Sequence, residues 1–145
     1  MWRHILAAVA ALALVPAAPA RAETEAQTAA YMAAENISAG DDQLFLTAPS
    51  ALIFIRERSA SPNEYRRLWV RTEFRQPLLL VGVPYLSTLE LNEFDCAART
   101  LRTLSAAPYS GRNLTGTTAP ITPSLTWRPV QDGSVGAYLL DKACE

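Results

Sequence analysis

Histidine, cysteine and lysine are scarce in this 145-residue sequence. Its one histidine is His4, its two cysteines are Cys96 and Cys144, and its one lysine is Lys142. Because His4 lies in a predicted leader described below, the mature chain has no histidine for a metal site, and two cysteines joined to each other cannot be ligands. No serine lies in a Gly-x-Ser-x-Gly motif, and no histidine is left to activate one. We therefore predict no catalytic, cofactor-binding or metal-binding residues and no enzyme activity.

Runs of basic residues are also missing. The chain carries 13 Lys and Arg against 14 Asp and Glu, and the basic residues are scattered along it. Proteins that bind nucleic acid or anionic membranes through charge need Lys and Arg in clusters. We therefore expect no nucleic-acid partner.

The first 22 residues have the pattern of an export signal. A short basic start is followed by an unbroken apolar run over residues 5–15, and the segment ends in Ala20-Arg21-Ala22, a cleavage motif. The apolar run has about eleven residues, whereas a membrane span needs roughly twenty. We predict cleavage after Ala22, which removes two of the 13 basic residues and no acidic one, so the mature net charge is near −3. An uncleaved N-terminal anchor is the alternative.

Two cysteines in an exported chain predict one disulfide, between Cys96 and Cys144. The alternative, a redox pair of free thiols, would be expected to show a Cys-x-x-Cys motif, and the sequence has none. The predicted bond closes the C-terminal third of the chain into a loop and fastens its end to the strand that precedes Cys96.

Alternation of apolar and polar residues, punctuated by turn residues, predicts a domain rich in strands. The predicted strands cover residues 44–47, 51–58, 67–74, 86–96 and 99–105, and residues 125–130 are expected to form a short strand or an extended segment. A helix is predicted over residues 135–143, with Ser134 as its N-cap and with Val135, Tyr138, Leu139 and Ala143 on its buried side. Residues 23–29 are expected to be loose, and residues 30–37 to form a short strand or helix.

Two of these segments carry a more specific expectation. In residues 67–74, Leu68, Val70 and Thr72 alternate with the larger polar and aromatic side chains, which is typical of a half-buried antiparallel strand. Residues 76–85 form an apolar stretch bracketed by two prolines and leave three alternatives open. They are a buried strand, an apolar loop against the core, and an exposed apolar patch for a partner.

The remaining charged and aromatic candidates have structural explanations. Asp41 and Asp42 fit a solvated turn, and Glu90 and Glu93 fit a sheet edge and could pair across strands with Arg99 and Arg102. Asp95 is a candidate for a partly buried ion pair with Arg71 or Arg99, and Trp69 and Trp127 are expected to pack at the core or its rim.

Several short segments, in their order and spacing, resemble the surface-adhesin protein E family of exported Gram-negative proteins. The resemblance covers residues 43–144, and its segments are Ser50, Trp69-Val70-Arg71, Glu93-Phe94-Asp95-Cys96-Ala97-Ala98-Arg99, Arg102-Thr103-Leu104-Ser105, Tyr109, Gly111, Trp127-Arg128-Pro129-Val130, Gly133-Ser134 and Ala143-Cys144. It implies an α+β fold: a six-stranded antiparallel sheet with a C-terminal helix pinned to one face by the disulfide. We accordingly assign residues 1–22 to a signal peptide, 23–42 to a partly loose N-terminal segment and 43–145 to an adhesin E-like domain.

Characterised members of that family bind host extracellular-matrix and serum proteins at the cell surface and resemble lipid-anchored proteins. This chain has no cysteine near the predicted cleavage site, so no stable membrane anchor is expected after cleavage. The resemblance implies an exported, non-catalytic module, periplasmic or secreted, that acts through protein–protein contacts, and a homodimer is a further expectation. The alternative is a periplasmic structural or accessory envelope protein without a host ligand. No binding residue is transferred from the family.

Overall fold

The computed structural model describes residues 22–60, 64–80 and 82–145, so the predicted signal peptide lies, except for Ala22, outside the described residues. The strands form one six-stranded antiparallel sheet, in which each strand pairs with its neighbours in sequence. The predicted α+β fold with a C-terminal helix is confirmed. The elements are α1 (Glu25–Ala34), β1 (Gln43–Ala48), β2 (Ala51–Ala60), β3 (Arg66–Leu80), β4 (Val83–Asp95), β5 (Thr100–Tyr109), a 3-10 turn (Arg112–Leu114), β6 (Arg128–Pro129) and α2 (Val135–Ala143).

The face of the sheet that α2 covers, here called the disulfide face, holds the larger apolar core. Alternate residues of the strands point to this face. The core consists of Ala51, Ile53, Ile55, Leu68, Val70 and Phe94 from the sheet, together with Leu139, Leu140 and Ala143 from α2. The predicted disulfide is formed and joins Cys96, just after β4, to Cys144 at the C-cap of α2.

Helix α2 begins as predicted, because the Ser134 side chain accepts a hydrogen bond from Ala137 N at 3.2 Å. The predicted buried side of the helix is wrong at one position. Tyr138 is 50% exposed, whereas Leu140, two residues on and about 200° round the helix axis, is 1% exposed. The apolar stripe is therefore centred nearer Leu139 and Leu140 than the sequence pattern indicated.

The other side of the sheet, here called the N-terminal face, is covered by α1 and by residues 35–42. Ile37, Leu52 and Phe54 form its apolar core, with Tyr31 and Met32 of α1 packed against them. The expectation that residues 23–29 are loose is therefore wrong, because most of them lie in α1.

A capping box explains why α1 begins where it does. Gln27 N donates to Thr24 Oγ1 at 3.2 Å, and Thr24 N donates to Gln27 Oε1 at 2.9 Å. These two bonds satisfy backbone donors that the first turn of a helix otherwise leaves unpaired. The pattern Thr-x-x-Gln was present in the sequence and would have indicated the helix.

Cover on both faces changes the interpretation of β3. Leu68 and Val70 are buried on the disulfide face, but Arg71 and Glu73, on the N-terminal face, are also buried, at 3% and 0% exposed. The prediction of a half-buried strand is therefore wrong, because this part of β3 is covered on both faces of the sheet.

The described residues of the stretch 76–85 form neither a fully buried strand nor a loop against the core. Residues 78–80 and 83–85 are the paired ends of β3 and β4, with Leu78 opposite Tyr85, Leu79 opposite Pro84, and Leu80 opposite Val83, and Tyr85 alone among these six is buried. The register shifts between Glu73 and Leu78, so the end of this hairpin follows an irregular stretch of β3. We call residues 77–80 and 82–84 the hairpin tip.

Replacing both cysteines, Cys96→Ser with Cys144→Ser, is expected to lower the free energy of unfolding by about 2–5 kcal/mol. The bond closes a loop with a sequence separation of 48 residues, and a two-turn helix is marginal without such a link. Urea unfolding of the oxidised protein and the double variant measures the difference. Reductant should destabilise the native protein and leave the double variant unchanged, and a loss below about 1 kcal/mol would contradict the assigned role.

Candidate functional site

Arg71 is the centre of a buried network of charges on the N-terminal face. Its Nη1 donates to Glu73 Oε1 at 2.9 Å, and its Nη2 donates to Ser38 O at 2.7 Å. Its Nε lies 2.8 Å from Asp42 Oδ2, an ion-pair distance, although the N–H does not point at that oxygen. The guanidinium also stacks on Phe54, with Cζ 4.2 Å from the ring centroid.

Asn113 extends this network to the 3-10 turn. Its N–H donates to Glu73 Oε1 at 2.9 Å, while its Oδ1 accepts from Ser38 N at 2.8 Å and from Arg71 Nη1 at 3.2 Å. Asn113 has a φ of 55°, a left-handed conformation that asparagine adopts more readily than most residues. The network thus joins three segments: the connection after α1, strand β3, and the turn after β5.

Burial raises the pKa of Glu73 above its ordinary value, because its side chain is fully buried and Oε2 has no hydrogen-bond partner. The Asn113 N–H and the positive charges of Arg71 and Arg112 oppose this effect without cancelling it. Both charged partners of Glu73 therefore act to keep it ionised in a site that disfavours the charge.

Asp42 belongs to the same network, so the prediction that it lies in a solvated turn is wrong. It is 8% exposed, and Arg56 Nε donates to its Oδ1 at 2.7 Å. Asp41, the preceding residue, is exposed as expected. The two aspartates differ because the chain enters β1 here, with one side chain directed to the sheet and the other to solvent.

Glu93 is the centre of a second charged cluster. Its carboxylate is 1% exposed, and it accepts from Arg67 Nε at 2.8 Å and from Arg102 Nε and Nη2 at 2.9 and 2.6 Å. Arg102 also stacks on Trp127, whose ring meets that of Tyr65 edge-on at 4.9 Å. Burial alone would raise the pKa of Glu93, but the hydrogen bonds from the two arginines outweigh it and lower that pKa.

The structure brings together some of the predicted charged partners and separates others. The pair between Glu93 and Arg102 is formed, although Glu93 lies in an interior strand and not at a sheet edge. The predicted pairs of Asp95 are wrong. Asp95 accepts from Ala98 N at 3.0 Å within the β4–β5 turn, and Arg99 pairs with Asp141 of α2 at 3.3 Å.

Of the two tryptophans, Trp127 has the packing role that was expected of it. Trp127 packs at the rim of the sheet between Arg102 and Tyr65. Trp69 is half-buried on β3, opposite Leu91 of β4.

The hairpin tip exposes apolar side chains. Leu79 is 66% exposed, Val83 44% and Leu78 39%, and the prolines at positions 77 and 84 are exposed as well. No charged residue lies between Arg75 and Glu90 in the sequence. Isolated exposed leucines are ordinary, but several apolar side chains exposed together in one uncharged hairpin tip form the kind of surface that contacts a partner. Sequence reasoning raised this alternative and could not choose it.

The charged clusters around Arg71 and Glu93 are paired internally, so their role is to hold strands and turns in position.

Among the described residues, no three His, Cys, Asp or Glu side chains come close enough to hold a metal ion. In the part of the chain that the structure describes, no helix has the length and apolar character needed to cross a bilayer.

These features define a small α+β module with a disulfide-fastened helix and an exposed apolar hairpin. The family model for surface-adhesin protein E matches residues 46–145, and the chain belongs to that family. No curated protein and no solved structure matches the chain significantly. Family membership supports a role of the surface-adhesin type and binding to proteins in general.

Arg71→Leu is expected to destabilise the fold by about 3–5 kcal/mol, because it leaves the buried Asp42 and Glu73 without their shared partner. The matched control is Arg99→Leu, which breaks an exposed pair with Asp141 and should cost less than about 1 kcal/mol. Urea unfolding at neutral pH compares them. Equal losses in the two variants would contradict the central place of Arg71.

The two buried glutamates should give opposite pH dependences. The pKa of Glu93 is lowered, so its ionised form contributes stability above the ordinary value of 4.5, and this contribution is lost as the pH falls. The pKa of Glu73 is raised, so its protonated form contributes stability below pH 4.5. This contribution is lost as the pH rises through the pKa that Glu73 has in the folded protein.

Unfolding of Glu93→Gln and Glu73→Gln across the acid range tests these signs. Compared with the native protein, Glu93→Gln should be least stable near neutral pH, and the difference in stability should shrink in acid. The stability of Glu73→Gln relative to the native protein should instead increase as the pH rises. The same slope for both variants would show that one of the two assignments is wrong.

Proposed function

We propose that this protein is an exported, non-catalytic binding module that acts through protein–protein contacts at or near the bacterial envelope, in the periplasm or outside the cell. Membership of the surface-adhesin protein E family supports the binding role. The observation that carries the proposal is the exposure of Leu78, Leu79 and Val83 at the hairpin tip. A domain that buries apolar groups on both faces of its sheet leaves these three in solvent, where a partner can cover them.

The two strands make the hairpin tip a suitable contact element. Residues opposite one another in β3 and β4 hold the tip in a defined shape, and Gly82, with a φ of 75°, supplies the left-handed residue at its turn. A preformed apolar tip loses little conformational freedom on binding. Burying one leucine in a partner's pocket contributes roughly 1.5–3 kcal/mol.

Leu79→Ser is expected to weaken binding to a surface coated with extracellular-matrix extract or serum proteins by about tenfold or more, since it removes that apolar contribution. The control is Leu125→Ser, because Leu125 is 51% exposed but lies outside the hairpin tip. Both variants should unfold at the same urea concentration as the native protein. Equal binding by Leu79→Ser and the native protein would overturn the assignment of the hairpin tip.

The alternative, an accessory envelope protein without a host ligand, makes a different prediction in the same experiment. It predicts no binding of the native protein to either coated surface and full protection from protease added to intact cells. Digestion of the protein by external protease, together with binding that depends on Leu79, would exclude it.

We further propose that the hairpin tip can pair two copies of the chain, because a contact across a two-fold axis would bury the exposed Leu78, Leu79 and Val83 of both copies in one interface. Light scattering of the native protein over a range of concentrations should show a dimer that Leu79→Ser weakens and Leu125→Ser does not. A dimer unaffected by Leu79→Ser would place the contact elsewhere.

A further inference from the structure

The two edges of the sheet are treated differently. Beside β5, strand β6 pairs with Thr100 and Leu101, and single bridges from Ile121 and Thr118 cover Ala106 and Tyr109. Beside β1, the described residues provide no strand on the side away from β2. One edge is therefore closed by the chain itself, and the other is open.

Strand β1 also has few of the features that protect an exposed edge. Its sequence, Gln-Leu-Phe-Leu-Thr-Ala, contains no charge and no proline. Edge strands are usually protected by lysine, proline or a bulge. The register of β1 shifts once, between Leu44 and Leu46, and after it three consecutive pairs to β2 are regular, ending at Ala48 opposite Ala51.

A groove of about 390 Å³ runs between β1 and α1. The helix side is formed by Thr28, Ala29 and Met32, the strand side by Leu44, Phe45, Leu46 and Thr47, and the end near the start of α1 by Glu23 and Glu25. A strand added beside β1 would direct alternate side chains toward α1, because side chains of a strand alternate between faces. The groove offers those side chains a mixed lining, in which Ala29, Met32 and the strand residues 44–46 are the apolar part.

The chemistry of the edge specifies the kind of occupant. Alternate residues of an edge strand direct their N–H and C=O groups away from the sheet, and an extended polypeptide can pair with them in series. The charges around the groove narrow the choice of occupant further. Glu23 pairs with Arg75, but Glu25 is exposed and forms no ion pair with any described residue. Helix α1 contains no basic residue.

A second copy of this chain fits the edge less well than a different polypeptide. Two β1 strands paired about a two-fold axis would bring two copies of α1 to the same face, each with its Glu25 and with no basic residue to meet it. An incoming strand that carries Lys or Arg instead places opposite charges together.

We propose that β1 accepts, as a seventh strand, an extended segment of a partner polypeptide that is apolar at alternate positions and carries a basic residue facing Glu25. The proposal rests on the proposed function only in that the partner is a protein. Strand β2 separates β1 from the hairpin of β3 and β4, so this edge is a surface of its own.

The test uses the purified oxidised protein and a labelled synthetic peptide of alternating valine and threonine with one terminal arginine. Two control peptides replace the arginine by glutamate or methylate alternate backbone nitrogens. The arginine peptide should bind about 2- to 5-fold more tightly than the glutamate peptide, and Glu25→Lys should reverse this order. The methylated peptide should not bind, because it cannot donate to the strand edge.

Two matched variants test the groove. Ala29→Trp fills it and should weaken peptide binding about tenfold or more, whereas Ala30→Trp, which is exposed about 100° further round α1 and is not part of the groove lining, should leave binding unchanged. Leu79→Ser should also leave it unchanged, so failure at the hairpin tip and failure at this edge are distinguishable. Amide hydrogen exchange of residues 43–48 should slow when the arginine peptide binds.

Three results would overturn the proposal. They are equal binding of the methylated peptide, no detectable binding of the arginine peptide, and slowing of exchange at residues 43–48 by higher protein concentration alone. The last would identify a second copy of the chain as the occupant.

Discussion

The guanidinium of Arg71 joins parts of the chain that lie far apart in sequence. It contacts Asp42 and Ser38 before the sheet begins and Asn113 after β5; the contact with Asp42 is buried, and the other two are partly buried. Removing such charges from water is costly, and their mutual attraction recovers the cost only when the geometry is good. We therefore interpret the network as a device that fixes where the N-terminal segment lies, while Tyr31, Met32 and Ile37 contribute the apolar burial that holds it there.

The two faces of the sheet show two solutions to one problem. A short helix is marginal alone and needs a tertiary anchor. On the disulfide face the anchor is covalent, with Cys144 at the end of α2 bonded to Cys96. On the N-terminal face the anchors of α1 are side chains from distant segments: Arg112 of the 3-10 turn donates to Glu35 at 2.9 Å and to Tyr31 at 3.3 Å, and Arg75 of β3 stacks on Tyr31.

Local information in the sequence was enough for much of this fold. The six strands, the α2 helix with Ser134 as its cap, and the disulfide follow from alternation, cap chemistry and cysteine count. The pair of Glu93 and Arg102 was also within reach, because cross-strand partners lie near each other in a hairpin.

What the sequence did not reveal depends on contacts between distant segments. Asp42 resembles a turn residue until Arg56 and Arg71 are known to face it. Arg71 and Glu73 alternate with apolar residues and were therefore predicted on a solvent-facing side, because nothing local indicates a second covering layer. The leucines at 78 and 79 have the composition of a core, and only the register shift after Glu73 explains why they extend beyond it.

The candidate binding surfaces lie where these anchors do not reach. Both charged clusters are internally satisfied or nearly so, and they hold strands, turns and helices in place without presenting free charge to a ligand. The hairpin tip lies past the irregular stretch of β3, and β1 lies on the edge away from β6. The sheet is covered on both faces, and its uncharged hairpin tip and its open edge both lie outside the two apolar cores. In this division the faces of the sheet carry its stability, and its margins are the surfaces at which we propose recognition.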